Sequence, residues 1–241
     1  MSPSPSLLSF YLLSFALALQ SVFGLDPLFY TCSKSNNFTA NGPYESNLNN
    51  LMGYLYLKSP STGFGNGSIG QEPNQVYGLA LCRGDASASD CKSCIAQASY
   101  DGRQRCPDNR GAAIWYDYCQ LKYSDQDFFG QIDDEIKYIL YNTQNVSDPL
   151  AFNQGTRTLL TNLAEEASLT PKMYSEGEVE FGLEKIYGLA QCTRDLSSYD
   201  CKKCLTDIIG EIPSCCDGKK GGRVVTGSCN IRYEMYPFVN A

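Results

Sequence analysis

Apolar positions recur along this chain at two periods. Tyr44, Leu48, Leu51 and Leu55 fall three and four residues apart, which predicts an amphipathic helix over 44–57 that Ser59-Pro60 ends. Short runs rich in aromatic and aliphatic residues predict extended chain at 29–32 and strands at 64–69 and 76–82. A second helix starts at Ser89-Asp90 and runs through Cys91 and Cys94 to about 99. The runs 112–116 and 119–123, split by Asp117-Tyr118, have the pattern of a hairpin. The same order then returns. A helix is expected over 152–167, with Phe152, Thr156, Leu159, Leu160 and Leu163 on one face. Strands follow over 172–175 and 183–192, a helix over 196–209, and a closing hairpin from 222–226 and 228–236. Helix, two strands, helix, two strands, written twice, predicts an α+β fold: two tandem domains, each an antiparallel sheet covered on one face by two helices.

The repetition is literal. YGLALCRGDASASDCKSC at 77–94 returns as YGLAQCTRDLSSYDCKKC at 187–204, so that Cys82, Cys91 and Cys94 map at one constant offset onto Cys192, Cys201 and Cys204. The same offset carries Cys106 onto Cys216, Cys119 onto Cys229 and Tyr123 onto Tyr233. The first domain is placed at 25–130 and the second at 141–241. The acidic, polar stretch 131–140 lies between them as a linker or as an extension packed between them. Residues 1–24 carry an apolar run from Leu7 to Leu19 followed by Val22-Phe23-Gly24, the pattern of a signal peptide and too short for a membrane anchor. No later stretch is apolar enough to span a bilayer, so no transmembrane anchor is expected.

An exported chain with twelve cysteines, an even number, implies a disulfide framework. The motifs Cys91-x-x-Cys94 and Cys201-x-x-Cys204 also admit zinc and redox readings, which an oxidising compartment and the absence of histidine weaken. No metal and no cofactor are expected. Sequons at Asn37, Asn66 and Asn145 fit the same compartment. A net charge of -7 disfavours nucleic-acid partners. Without histidine, neither a Ser-His-Asp nor a Cys-His nucleophile can be assembled, and no pair of acids stands out as a hydrolytic couple, so no catalytic residue is assigned and the chain is not read as an enzyme.

Cys-x8-Cys-x2-Cys preceded by Tyr-Gly-Leu-Ala, present twice, resembles the ginkbilobin-homologous (stress-antifungal) domain of plants. Two such domains behind a signal peptide resemble a cysteine-rich repeat secretory protein, related through its ectodomain to cysteine-rich receptor-like kinases and plasmodesmata-located proteins. The resemblance implies secretion to the apoplast and a role in stress or defence. It also implies bridges Cys32–Cys106, Cys82–Cys91 and Cys94–Cys119 in the first domain, and Cys192–Cys201 and Cys204–Cys229 in the second. The chain departs from the family pattern where Tyr141 takes the place of the second domain's first cysteine and an extra Cys215 stands beside Cys216. A vicinal bridge, two free thiols and an intermolecular link all remain open for that pair.

Ginkbilobin itself is a mannose-binding antifungal lectin whose sugar is held by an Asn, an Arg and a Glu. The resemblance puts these at Ser33, Ala113 and Ser124 in the first domain, where all three types are lost, and at Asn142, Arg223 and Glu234 in the second, where all three are kept. An amide, a guanidinium and a carboxylate together suit vicinal hydroxyls. The plainer readings are a cross-strand ion pair between Arg223 and Glu234 and a turn role for Asn142. A glycan on Asn145 stands three residues from Asn142 and is expected to crowd the site. Trp115, Tyr116 and Tyr118 read as a binding platform or as hairpin core and rim, and Asp133-Asp134-Glu135 as solvated surface. The expected partner is a mannose-type glycan; the alternative is a receptor ectodomain or another apoplastic protein.

Overall fold

Two five-stranded antiparallel sheets carry the chain. The structure is a computed structural model that describes residues 26–34 and 37–239, so the predicted signal peptide lies outside the described residues. In the first unit, β1 (Phe29–Cys32) leads into α1 (Pro43–Lys58), β2 (Phe64–Ile69), β3 (Val76–Cys82), α2 (Ala88–Arg105), β4 (Ala112–Trp115) and β5 (Cys119–Ser124). The second unit repeats this with β6 (Lys137–Tyr141), α3 (Pro149–Leu169), β7 (Tyr174–Phe181), β8 (Glu184–Cys192), α4 (Ser198–Ile209), the single turn α5 (Ile212–Cys215), β9 (Gly221–Thr226) and β10 (Cys229–Glu234). The sheet orders, β1-β4-β5-β3-β2 and β6-β9-β10-β8-β7, are the same permutation. The protein is therefore an α+β tandem of disulfide-stapled units, each sheet packed against two main helices.

Local chemistry starts the helices at matching places. Ser87 and Ser197 cap α2 and α4 by accepting the N–H of Asp90 and Asp200, and each serine hydroxyl donates to that same aspartate's carboxylate. Proline opens α1 and α3. On each strand alternate residues face the helices: Ile114, Leu121 and Tyr123 in the first core, Val224, Ile231 and Tyr233 in the second.

Several boundaries differ from the sequence reading. Residues 137–140, placed in the linker, belong to β6, which pairs with β9 as β1 pairs with β4. Helix α2 runs on to Arg105 because its polar last turns are buried: Asp101 receives the Tyr116 hydroxyl, and a Cβ on Gly102 would meet Ile114 Cδ1 at 2.7 Å. Strand β7 is twice its expected length, since the Glu176–Glu180 stretch pairs with β8 along an exposed edge.

Six bridges are present: Cys32–Cys106, Cys82–Cys91, Cys94–Cys119, Cys192–Cys201, Cys204–Cys229 and the vicinal Cys215–Cys216. Each Cys-x-x-Cys motif thus sends its two sulfurs to different strands, which leaves neither motif a zinc half-site nor a dithiol redox pair.

The sheet faces turned away from the helices are not left to solvent. Leu79, Leu81, Ala113 and Trp115 of the first unit and Leu189, Gln191, Arg223 and Val225 of the second are all buried. Trp115, Ala113 and Val225 form a small apolar cluster across the seam. Each unit lends its hairpin turn to its neighbour: Gly227 O accepts from Gln120 Nε2 at 2.8 Å, and Asp117 accepts from Arg223 at 2.7 Å.

Candidate functional site

The register of β9 on β10 decides what the second hairpin presents. Arg223 stands opposite Arg232, and Glu234 opposite Gly221. Arg223 and Glu234 are therefore not cross-strand partners, and the ion pair read between them is corrected: Glu234 pairs with Arg232 Nε at 3.1 Å, two residues back on its own strand, while Arg223 pairs with Asp117 of the other unit. Two like charges directly opposite on one face repel. Asp117 Oδ1 relieves this by accepting from Arg223 Nη1 at 2.7 Å and Arg232 Nη1 at 3.1 Å. Gly221 leaves room for the Glu234 carboxylate, which a Cβ there would push aside.

Asn142 follows β6. Its N–H donates to Gly221 O at 2.9 Å, and its Oδ1 accepts the N–H of Gln144, so the turn role is real. Even so, Asn142, Arg223 and Glu234 line one cleft of about 430 Å³ together with Asp117, Tyr141, Arg232 and Tyr236. Arg223 is only 8% exposed. Its Nε donates to Asn230 at 3.1 Å, and burial pushes its guanidinium down to about 10 against the opposing pull of Asp117. Burial likewise pushes the Glu234 carboxyl up, partly offset by Arg232. Arg232 completes the wall, donating to the Tyr236 hydroxyl at 3.1 Å and lying 4.3 Å over the Phe238 ring. The cleft offers carboxylates, guanidinium groups, an amide and a phenol side by side, bordered by the exposed ring of Tyr141. That set matches a polyhydroxylated ligand better than an apolar one.

The first unit has the same backbone with other side chains on it. Ser33 N–H donates to Gly111 O as Asn142 does to Gly221. The register puts Cys32 opposite Ala112 and Tyr141 opposite Gly222, so Tyr141 sits where the first unit has its bridging cysteine. Ala113 is shut inside the seam. Lys122, the counterpart of Arg232, is covered by the Phe128 ring at 4.2 Å and by Asp133 at 2.5 Å. Asp133 is therefore not solvated surface: it lies against the sheet, its N–H held by Ser228 Oγ at 2.9 Å.

The aromatic group does not reach the cleft. Trp115 lies in the seam, Tyr116 lies in the first core, and Tyr118 stacks under Arg83 at 4.4 Å. Asn145 lines a separate cleft of about 290 Å³ with Phe181 and Met235, and its Oδ1 accepts from Lys219 Nζ at 2.8 Å. Asn37 and Asn145 hold matching bridge positions, opposite Asn109 and Lys219, and Asn66 lies on the edge strand β2. Sequence reasoning missed Asp117 and Arg232. Arg232 had a signal, since it shares a strand face with Glu234; Asp117 had none, because its hydrogen bonds to Arg223 and Arg232 cross between units.

Comparison with known proteins agrees with this architecture. A family model described as salt stress response/antifungal matches residues 31–126 and again 141–236. The chain is 57% identical over 215 residues to cysteine-rich repeat secretory protein 38 of Arabidopsis thaliana, covering 88% of this chain and 85% of that one. It is 51% identical over 234 residues to an antimicrobial ginkbilobin-2-like protein of Castanea crenata, covering 97% and 96%. The crystal structure of a tandem DUF26 ectodomain from an Arabidopsis thaliana cysteine-rich receptor-like protein superposes with a TM-score of 0.79 at 27% identity, over 89% of this chain and all of that one.

Proposed function

The chain belongs to the salt stress response/antifungal family, and on that footing we propose that it is a plant defence or stress protein whose second unit binds a mannose-type carbohydrate, with antifungal activity as the consequence. It is a secreted, extracellular protein, in keeping with its secretory relatives and its disulfide framework. Family and fold are those of non-enzymatic extracellular domains. The observation that carries the carbohydrate reading is the convergence of Asn142, Arg223 and Glu234 on one polar cleft, while their first-unit counterparts are buried or replaced.

Arg223 is buried in the cleft wall and holds Asp117, so half-buried Asn142 is the member of the three that can be changed without disturbing the seam. The test is calorimetric titration of the oxidised, deglycosylated protein with methyl α-mannoside, beside Asn142→Ala. This variant removes a half-buried side chain and leaves the seam intact. Saturable binding that weakens about tenfold or more in the variant is the expected result, the size of one or two lost hydrogen bonds. No heat at millimolar sugar from folded protein would sink the reading. A second reading, docking to a receptor ectodomain or another apoplastic protein, is favoured by the match to a receptor-like ectodomain. It predicts partner capture indifferent to Asn142→Ala.

A further inference from the structure

The cleft is not built by the second unit alone. Asp117 stands in the turn between β4 and β5 of the first unit, yet its Oδ1 is the shared acceptor for Arg223 and Arg232. Its other oxygen lies 3.5 Å from Arg83 Nη1, a buried nitrogen that makes no hydrogen bond. Arg83 is held from the far side by Asp85 at 2.6 and 2.8 Å. Three guanidinium groups thus converge on one carboxylate, and that carboxylate keeps 42% of its side chain exposed, lining the cleft.

Charge around the cleft is balanced. Arg223 and Arg232 face Asp117 and Glu234, and Arg83 behind them is matched by Asp85. A neutral polyol entering here meets donors and acceptors without an unmatched charge. A ligand carboxylate meets two carboxylates, and the guanidinium groups beside them are already engaged, Arg223 and Arg232 by Asp117 and Arg232 by Glu234 as well. We propose that Asp117 is the specificity-determining residue of the cleft: it occupies the Arg223–Arg232 pair from the neighbouring unit, so that the site takes neutral sugars and excludes acidic ones. The inference rests on the carbohydrate reading above and adds to it the source and the sign of the selection.

Methyl α-mannoside and methyl α-mannuronoside differ only at C6, a hydroxymethyl in one and a carboxylate in the other. Both are titrated calorimetrically into the full oxidised chain at low ionic strength, where charge is least screened. The wild type is expected to bind the mannuronoside about tenfold or more weaker than the mannoside. Asp117→Asn keeps the shape and removes the charge, and is expected to raise the ratio of mannuronoside to mannoside affinity by about tenfold or more. Adding Arg232→Gln is expected to abolish that rise. Asp117→Ser is measured alongside, with thermal melts on each variant, so that a packing fault in one does not decide the question. Mannuronoside binding gained by a variant of a wild type silent to both sugars sinks the mannose reading and leaves the charge selection standing. Equal binding of both sugars by the wild type, or folded Asn and Ser variants that gain nothing, overturns the charge selection.

Discussion

At the scale of single residues, Glu234 shows burial and pairing pulling against each other. Enclosure in the cleft wall raises its carboxyl above the usual 4.5, and Arg232 at 3.1 Å lowers it by less. A carboxyl whose pKa is higher folded than unfolded binds more protons in the folded state between the two values. Its contribution to stability is therefore complete at low pH and is lost as pH rises through the folded value. Glu234→Gln cannot titrate and lacks that loss. Urea unfolding of the two proteins from pH 4 to 7 is expected to show the variant gaining on the wild type as pH rises, with the change centred above 4.5. A difference flat in pH would mean that burial and the Arg232 pair cancel; one falling with pH would mean that the pair outweighs burial and that ionised Glu234 is a net stabiliser.

Among the elements, the two edge strands that face the seam are matched in register and unmatched in covalent support. β1 is tied to the end of α2 by Cys32–Cys106, which closes 74 residues; β6 has Tyr141 at the same register position and no covalent tie. Loop-closure entropy assigns about 4.5 kcal/mol to a bridge of that span and about 2.5 to the nine-residue Cys82–Cys91. Amide exchange is expected to be faster in β6 than in β1, and a Cys32→Ser/Cys106→Ala variant is expected to bring β1 to the β6 rate. Equal protection in the wild type would show that the ladders alone hold both edges. The same pair of strands explains what could be read from the sequence. α1 and α3 were legible because Leu48, Leu51 and Leu55, or Leu159, Leu160 and Leu163, repeat at a helical period. β6 was not: Tyr138–Tyr141 is an apolar run, but it closely follows the acidic stretch Asp133–Glu135 and its partner strand lies some eighty residues on. Asn142, Arg223 and Glu234 could be singled out only through the family resemblance, which places them relative to the cysteine frame. Asp117 belongs to no local pattern, since its role exists only once two sheets meet.

That meeting is the property of the whole molecule on which the cleft depends. Arg223 and Val225 are buried only because the first unit covers them, and Asp117 is delivered only while the seam is closed. The seam's apolar part is small: Trp115, 3% exposed, with Ala113 and Val225, flanked by Phe29 and Ile136. Phe29 also stacks on Tyr138 of β6 at 4.4 Å, tying the two edges together. Trp115→Ala is expected to cost about 3–5 kcal/mol, the range for a buried aromatic truncated without collapse. Because the ring packs against residues of both units, the loss should fall on their coupling as well as on the first unit. Calorimetry is then expected to resolve the wild type as one transition and the variant as two. It is the right observable because Trp115 is the chain's single tryptophan and the variant loses its fluorescence reporter. A variant that melts lower but still in one step would assign Trp115 to the first unit's stability alone. The coupling would then rest on the polar clasp of Arg83, Arg223 and Arg232 around Asp117, and Asp117→Ala would become the substitution that splits the transition.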